Sequence, residues 1–364
     1  MGFPSLTTIL SIVFLGYMAH NMWGILQLYI PPSCQPAQKD CMSSTLTPSS
    51  QLTFLLFTST KPRPSMGTDL KFLDSLSSTV SEETSVTTQV KLPRSVVNNG
   101  SLYLCVFAVP KLDRQVDTTK PGWWEKEISG PDTSYTLTRL TQYSIPEAET
   151  FNLLGEETKS EKAQVDRSRP VTHLRSKIVF SVMTDQVSMS PHQVPGELAH
   201  VISLTRDRKK YLPILFVDEL TMRLRDLKMV NSTDTSSAVE FIYQPISFGK
   251  LRLFLQFTAA LGSMHSMGFT DKDTDEVKGI FADTNLVLLL ITFGVSALHL
   301  LFDFLAFKND VNFWRGKKTV EGLSRKTILW RAFSQTVIFF YLMDEETSLL
   351  VLIPGESLNS FSLS

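Results

Sequence analysis

The chain has 364 residues, with 35 lysines and arginines against 36 aspartates and glutamates, for a formal net charge of −1 at pH 7. There is no basic surplus of the kind that grips nucleic acid, so nucleic acid is not an expected partner. The near-neutral average conceals a segregation, because several of the apolar residues stand in long runs flanked by charge of one sign, and such runs point to a membrane.

In chain order, residues 1–8 are a short amino-terminal stretch and 9–30 a first transmembrane helix, inside an apolar run from Leu6 to Ile30 that stops at Pro31 and Pro32. The run lacks a positive n-region and is longer than a usual signal h-region. Trp23 and Tyr29 also stand where an interfacial belt would. It reads as a retained signal anchor with a cytosolic amino terminus, and a cleaved signal peptide is the alternative. Residues 31–284 then form a lumenal β-rich domain, about 250 residues, enough for one large or two small domains.

All three cysteines fall there. An oxidising lumen permits one disulfide; Cys34 and Cys41 are close enough in sequence to pair, leaving Cys105 as a buried thiol in the apolar run SLYLCVFAV. Two sequons, Asn99-Gly100-Ser101 and Asn231-Ser232-Thr233, lie in turn-like settings and are candidate glycan sites.

Segments rich in β-branched and aromatic residues and bounded by turn formers predict strands at Leu52 to Thr60, Val86 to Leu92, Leu102 to Val109, Ser134 to Tyr143, Ile178 to Met183 and Val239 to Tyr243. A further strand is predicted at Leu251 to Phe257, where LRLFLQF alternates apolar and polar. Many short strands suggest an antiparallel, sandwich-like β fold. One helix is predicted over Val217 to Met229, with Leu220, Leu224 and Leu227 on one face, Asp218 capping its start and Asn231 just past its end. Gly155 to Pro170, Ser43 to Ser50 and Ser75 to Thr88 read as polar connections.

Signatures of chemistry are scarce. His173, His192, His200 and His265 are scattered without ligand spacing, and neither a GxSxG elbow nor a phosphate-binding glycine loop occurs. No catalytic activity, metal or cofactor is expected. The basic cluster Arg206 to Lys210 reads as solvated surface, with contact to phosphate or lipid headgroups as the alternative. Trp123 and Trp124 read as buried in the sandwich, with an exposed binding edge or a membrane anchor as alternatives.

The run Ala282 to Phe307, ADTNLVLLLITFGVSALHLLFDFLAF, carries a second span at 285–307. Its 22 residues from Leu286 to Phe307 hold one formal charge, Asp303, and cross about 30 Å of hydrocarbon at about 1.5 Å per residue. A loop at 308–326 follows with six basic residues against two acidic, net +4, and short basic loops stay in the cytosol. The preceding stretch, Asp271 to Asp283, has five acidic residues against two basic, net −3, which places the β-rich region on the lumenal side. A third span at 327–343 contains Arg331 and Gln335, 344–354 is a lumenal turn and interrupted apolar segment, and 355–364 is an atypical tail.

His299 and Asp303 lie four apart on one helical face, and Asp303 and Arg331 stand at similar depths. Intramembrane ionisable groups face protein interior or water-filled cavities. A helix-packing ion pair near the interface is the first reading of these residues; the alternative is that His299, Asp303, Arg331 and Gln335 outline a polar seam along which a lipid headgroup slides.

The segments GFTDKDTDEVKGIFADTN (268–285), LHLLFDFLAFKNDVNFW (298–314), FFYLMDEETSLLVLIP (339–354), YLPILFVDEL (211–220) and YQPISFGKLRLFLQF (243–257) resemble the cleft lip and palate transmembrane protein 1 family, closest to its 1-like branch. The resemblance runs to Pro354 and departs at Gly355, as in a truncated or alternatively ended form. It implies an endoplasmic reticulum multi-pass lipid scramblase that moves glucosaminyl-phosphatidylinositol from the cytosolic to the lumenal leaflet in glycosylphosphatidylinositol anchor assembly. Its implied partners are membrane phospholipids, inositol glycolipids above all. It brings no catalytic residue that transfers to this chain. A form with three candidate spans is expected to scramble poorly unless it self-associates. The competing expectation is an anchored interaction protein that retains or assembles other membrane proteins.

Overall fold

The computed structural model describes residues 6–32, 34, 41–65, 68–110, 122–144, 170–231, 233–282, 284–316 and 325–344. It divides into two compact units, Leu28–Phe257 on the one hand and Met1–Gln27 with Thr258–Ser364 on the other.

The first unit is mainly β. Its strands are β1 (Ser43–Ser44), β2 (Gln51–Ser59), β3 (Lys71–Thr79), β4 (Thr84–Lys91), β5 (Tyr103–Pro110), β6 (Ser134–Arg139), β7 (Thr141–Ser144), β8 (Val171–Arg175), β9 (Lys177–Met183), β10 (Lys210–Tyr211), β11 (Leu215–Val217), β12 (Leu227–Met229) and β13 (Ser236–Ile246). Two four-stranded sheets, ordered β3-β2-β5-β6 and β11-β9-β13-β4, pack over one core, beside a three-stranded sheet β12-β8-β7 and the short pair β1-β10.

The central strands are buried on both faces, which is why they read as continuous apolar runs. Along β2, Phe54 and Leu56 enter the inter-sheet core with Phe180 and Tyr243 of the opposite sheet, while Leu55 and Phe57 enter a second cluster on the outer face. Phe54 lies 5.1 Å from Phe180 and 4.6 Å from Tyr243, ring centre to ring centre, so it ties the sheets together. The Tyr243 hydroxyl donates to the Val80 carbonyl at 2.6 Å, which satisfies the one polar atom that this ring brings into the core, and burial pushes its phenol up. Cys105, one residue out of phase with Leu104 and Val106, faces the outer cluster as a free thiol that burial pushes up to about 11.

That outer cluster is roofed by Trp123 and Trp124, which lead into the short helix α3 (Glu125–Ile128), in chain order after α1 (Leu6–Tyr29) and α2 (Arg94–Val97). Trp124 stacks on Phe72 at 4.7 Å. Both tryptophans are half-buried here, as the packing reading expects. Cys34 and Cys41 are joined by a disulfide with a Cα–Cα distance of 6.0 Å.

Three expectations are corrected. Residues 251–257 are helical, inside α4 (Phe248–Ser266). The apparent alternation of LRLFLQF is overridden at the start of the helix, where the Asp185 carboxylate accepts the Phe248 N–H at 2.7 Å, one of the donors a helix leaves free in its first turn. Residues 217–229 are not a helix but the end of β11, a turn, a short 3-10 segment and β12. Asp218 does cap, but it caps a turn, accepting the Leu220 and Thr221 N–H groups. Ser75 to Thr88 is not only a connection. Its ends belong to β3 and β4, and the hydroxyl-rich β3 is an edge strand whose Asp74 accepts the hydroxyl of Thr88 in β4.

The sandwich is also mixed rather than antiparallel, because β13 runs parallel to β9 from Glu240↔Lys177 to Ile246↔Met183. Parallel neighbours need a long crossover, here the stretch that includes β10, β11 and β12.

In the second unit α4 is followed by α5 (Asp271–Ala282), α6 (Leu286–Gly316) and α7 (Arg325–Asp344). Thr270 and Asp273 cap α5 reciprocally: Asp273 accepts the Thr270 N–H at 2.8 Å and Thr270 accepts the Asp273 N–H at 3.3 Å. The expected connection 155–169, residues 317–324 of the basic loop and the expected turn and tail from 345 onward lie outside the described residues.

Candidate functional site

Among the described residues, two helical stretches are long and apolar enough to cross a membrane, Thr8–Tyr29 and Val287–Asn309. Much of their apolar surface is bare, although Leu28 of α1 and Leu289 and Leu301 of α6 are buried. On α1, Ile12 is 62% exposed, and on α6 Leu300 is 61% exposed, with Val287, Ile291, Phe293 and Phe302 similarly bare. A helix with so much exposed apolar surface is matched to lipid rather than to water. Third in the series, α7 has 20 residues, about 30 Å of rise. It carries Arg331 and Gln335 and falls outside that pair of stretches.

His299 and Asp303 sit four residues apart on α6, and both side chains are exposed. Nearby, Thr292 returns its hydroxyl to the Leu288 carbonyl at 2.9 Å and so carries its own polarity inside the helix. Arg331 and Gln335 occupy α7 one turn apart, and their side chains lie outside the described residues. The structure therefore places His299 with Asp303 on one stripe of α6, and the expected Asp303 to Arg331 pair lies outside its description.

The basic cluster at Arg206 to Lys210 is a surface turn tied by Thr205, whose hydroxyl donates to the Lys210 carbonyl at 2.9 Å. Arg206 and Lys210 line a cleft of about 820 Å³, but Asp132 and Asp207 line it too. Basic and acidic side chains are thus mixed along its described lining. His173 is buried and its Nδ1 is bonded to the Val171 carbonyl at 2.9 Å. Among the described residues there is no cluster of three His, Cys, Asp or Glu side chains suited to a metal ion.

Asn99 is exposed in the left-handed region at φ 63°, and Asn231 is exposed at a turn closed by Asp234.

Sequence reasoning missed two groups. Arg252, on the first turns of α4, donates to Glu197 at 2.5 Å and to the Leu28 carbonyl near the end of α1 at 3.1 Å. Gly249 stands one turn before it, and a Cβ there would meet the Tyr29 Cα at 2.9 Å, so only glycine lets these segments approach. The basic-apolar pattern GKLR gave a signal for Arg252, but its partners are 55 and 224 residues away. The second group is Arg175, whose Nε and Nη1 are buried without a hydrogen-bond partner among the described residues. Burial lowers its guanidinium pKa, against the pull of Glu219 and with the push of Arg139.

The profile described as Cleft lip and palate transmembrane protein 1 (CLPTM1) matches residues 7–356. The chain is 36% identical over 367 residues to the lipid scramblase CLPTM1L of Danio rerio, covering 96% of this chain and 65% of that one. It is 34% identical over 369 residues to the lipid scramblase CLPTM1L of Homo sapiens, covering 97% of this chain and 65% of that one. Against the putative lipid scramblase CLPTM1 of Danio rerio it is 26% identical over 278 residues, 72% of this chain and 43% of that one. The chain thus spans 65% of the length of its CLPTM1L relatives. No solved structure matches it.

Proposed function

Because the chain belongs to the cleft lip and palate transmembrane protein 1 family, we propose that it acts in passive transfer of phospholipid between the two leaflets of the membrane in which α1 and α6 are embedded. The observation that carries this reading is α6 itself, an exposed apolar helix with His299 and Asp303 on a single stripe. Such a stripe gives a headgroup a polar path while acyl chains stay against Leu300 and Phe302. The chemistry needed is hydration and charge along the path, with no bond made or broken.

In finer form, the membrane is that of the endoplasmic reticulum, the protein crosses it several times, and the lipid is glucosaminyl-phosphatidylinositol moving toward the lumenal leaflet. The topology draws support from the net −3 segment before α6 and the net +4 loop after Phe307. On this reading the β unit and both sequons are lumenal. Asp303 pairs with Arg331 across α6 and α7 at one wall of the path.

The chain reconstituted into vesicles with a fluorescent phospholipid tests the activity. Without ATP, a membrane-impermeant quencher should extinguish more than the outer-leaflet half of the signal. Quenching that stops at the protein-free level overturns the proposal. A headgroup series that includes glucosaminyl-phosphatidylinositol reads the preference. Charge reversal at Asp303 alone should abolish transfer, and exchange of Asp303 with Arg331 should restore it; equal loss in both removes the pair from the path.

A further inference from the structure

We propose that the first sugar of an N-linked glycan on Asn99 packs against a surface formed by Tyr143, Arg139 and Tyr103, and thereby becomes part of the β unit's fold. The inference rests on the lumenal placement of that unit, proposed above.

The sequon is presented by tertiary contacts from a distant part of the chain. Asn99 follows α2 in the left-handed region, and its backbone carbonyl accepts the Tyr143 hydroxyl at 2.5 Å. Its side-chain Oδ1 accepts the Thr172 N–H at 3.2 Å and lies 3.4 Å from the Thr172 hydroxyl. Tyr143 and Thr172 are opposite residues in the β7-β8 ladder, so Asn99 is pinned to both strands at one rung. Among the described residues Nδ2, the atom that carries an N-linked sugar, has no hydrogen-bond partner, and the residue is exposed. The amide is thus held by its oxygen and open at its nitrogen.

Next to it lies a preorganised amphipathic surface. The Arg139 guanidinium sits 5.9 Å from the Tyr103 ring centre and 6.0 Å from that of Tyr143, and it donates to the sequon hydroxyl Ser101 Oγ at 3.0 Å. Tyr143 is 39% exposed. Tyrosine rings offer flat apolar area with few rotamers to lose, and the guanidinium adds donors beside them. A pyranose has the matching chemistry, with an apolar C–H face and a rim of hydroxyl and acetamide acceptors. Without a sugar this ring surface meets water.

The test uses the full chain with Asn231→Gln, so that Asn99 holds the only sequon, made in eukaryotic cells that keep glycans high-mannose. Endoglycosidase H leaves one N-acetylglucosamine on the asparagine. Peptide N-glycosidase F removes all sugar and leaves an aspartate, for which the Asn99→Asp variant is the control. The one-sugar form should melt with the untrimmed form, and the sugar-free form and Asn99→Asp should melt about 2–4 °C lower. With Tyr143→Ala added, which lowers every midpoint by removing the bond to the Asn99 carbonyl, the step between one sugar and none should vanish. Equal melting of the one-sugar and sugar-free forms, or a step that persists with Tyr143→Ala, overturns the inference. A wild-type chain glycosylated at Asn231 but not at Asn99 overturns it and leaves the topology standing. A chain modified at neither overturns both.

Discussion

The β unit and α6 are made from much the same side chains and hide them from water in opposite ways. In β2 and β5 the apolar residues alternate between an inter-sheet core and a roofed outer cluster, and Phe54 is 0% exposed. On α6 many of the described apolar residues face outward, among them Val287, Ile291, Leu300 and Phe302. A leucine at position 104 is protected by protein, whereas a leucine at position 300 needs a second solvent. Apolar content therefore says little until the covering partner is known, and in one chain the partner is first another sheet and then lipid.

The largest effect that separates the two regions is expected in the sheet core. Phe54→Ala should cost about 3–5 kcal/mol of unfolding free energy, since it opens a cavity between Phe180 and Tyr243, whereas Leu300→Ala on α6 should leave the unfolding of the β unit unchanged. Denaturant titration of both variants reads the contrast, and comparable losses would erase it.

Next comes Leu300→Arg, which should disfavour membrane insertion of α6 by about 3 kcal/mol. A microsomal insertion assay reports it, and an unaffected inserted fraction would mean that α6 is covered by protein instead.

Somewhat smaller is Arg252→Ala. It strips Glu197 and the Leu28 carbonyl of a charged donor and should cost about 2–3 kcal/mol, with Arg252→Lys recovering only part because a lysine lacks the fork. Full recovery by lysine would reduce this junction to simple charge.

The smallest effect concerns Cys105. Its thiol is raised from 9.0 to about 11 by burial, so the folded state holds the proton more tightly than the unfolded chain does. That contribution is whole below pH 9.0 and is lost as the pH climbs toward about 11. Native protein should resist thiol alkylation at neutral pH, and Cys105→Ala should flatten the alkaline limb of the stability curve. Rapid alkylation of the folded chain at pH 7 would place the thiol at the surface.

Several elements were legible in the residues alone. The strands β2, β5, β9 and β13 announce themselves because burial on both faces demands an unbroken apolar run, and the two long apolar helical stretches of α1 and α6 do so by a run longer still. The stripe of His299 and Asp303 follows from spacing along one helix. The errors have one origin. Leu220, Leu224 and Leu227 have helical spacing, yet Asp218 finds its donors in a turn and the segment ends as a strand beside β8. Residues 251–257 alternate like a strand, yet Asp185, more than sixty positions earlier by chain order, caps them as a helix.

What the sequence determined by itself was period and length: where the chain is apolar, at what repeat, and for how many residues. Those are local properties, carried by side chains within a few positions of one another. The tertiary structure alone decided direction and partnership: that β13 lies parallel to β9, that Arg252 closes on Leu28 and Glu197, and that Asn99 is pinned between Tyr143 and Thr172. Each of these joins groups far apart along the chain, and such contacts are chosen by the free energy of the whole packed unit rather than by any stretch of residues.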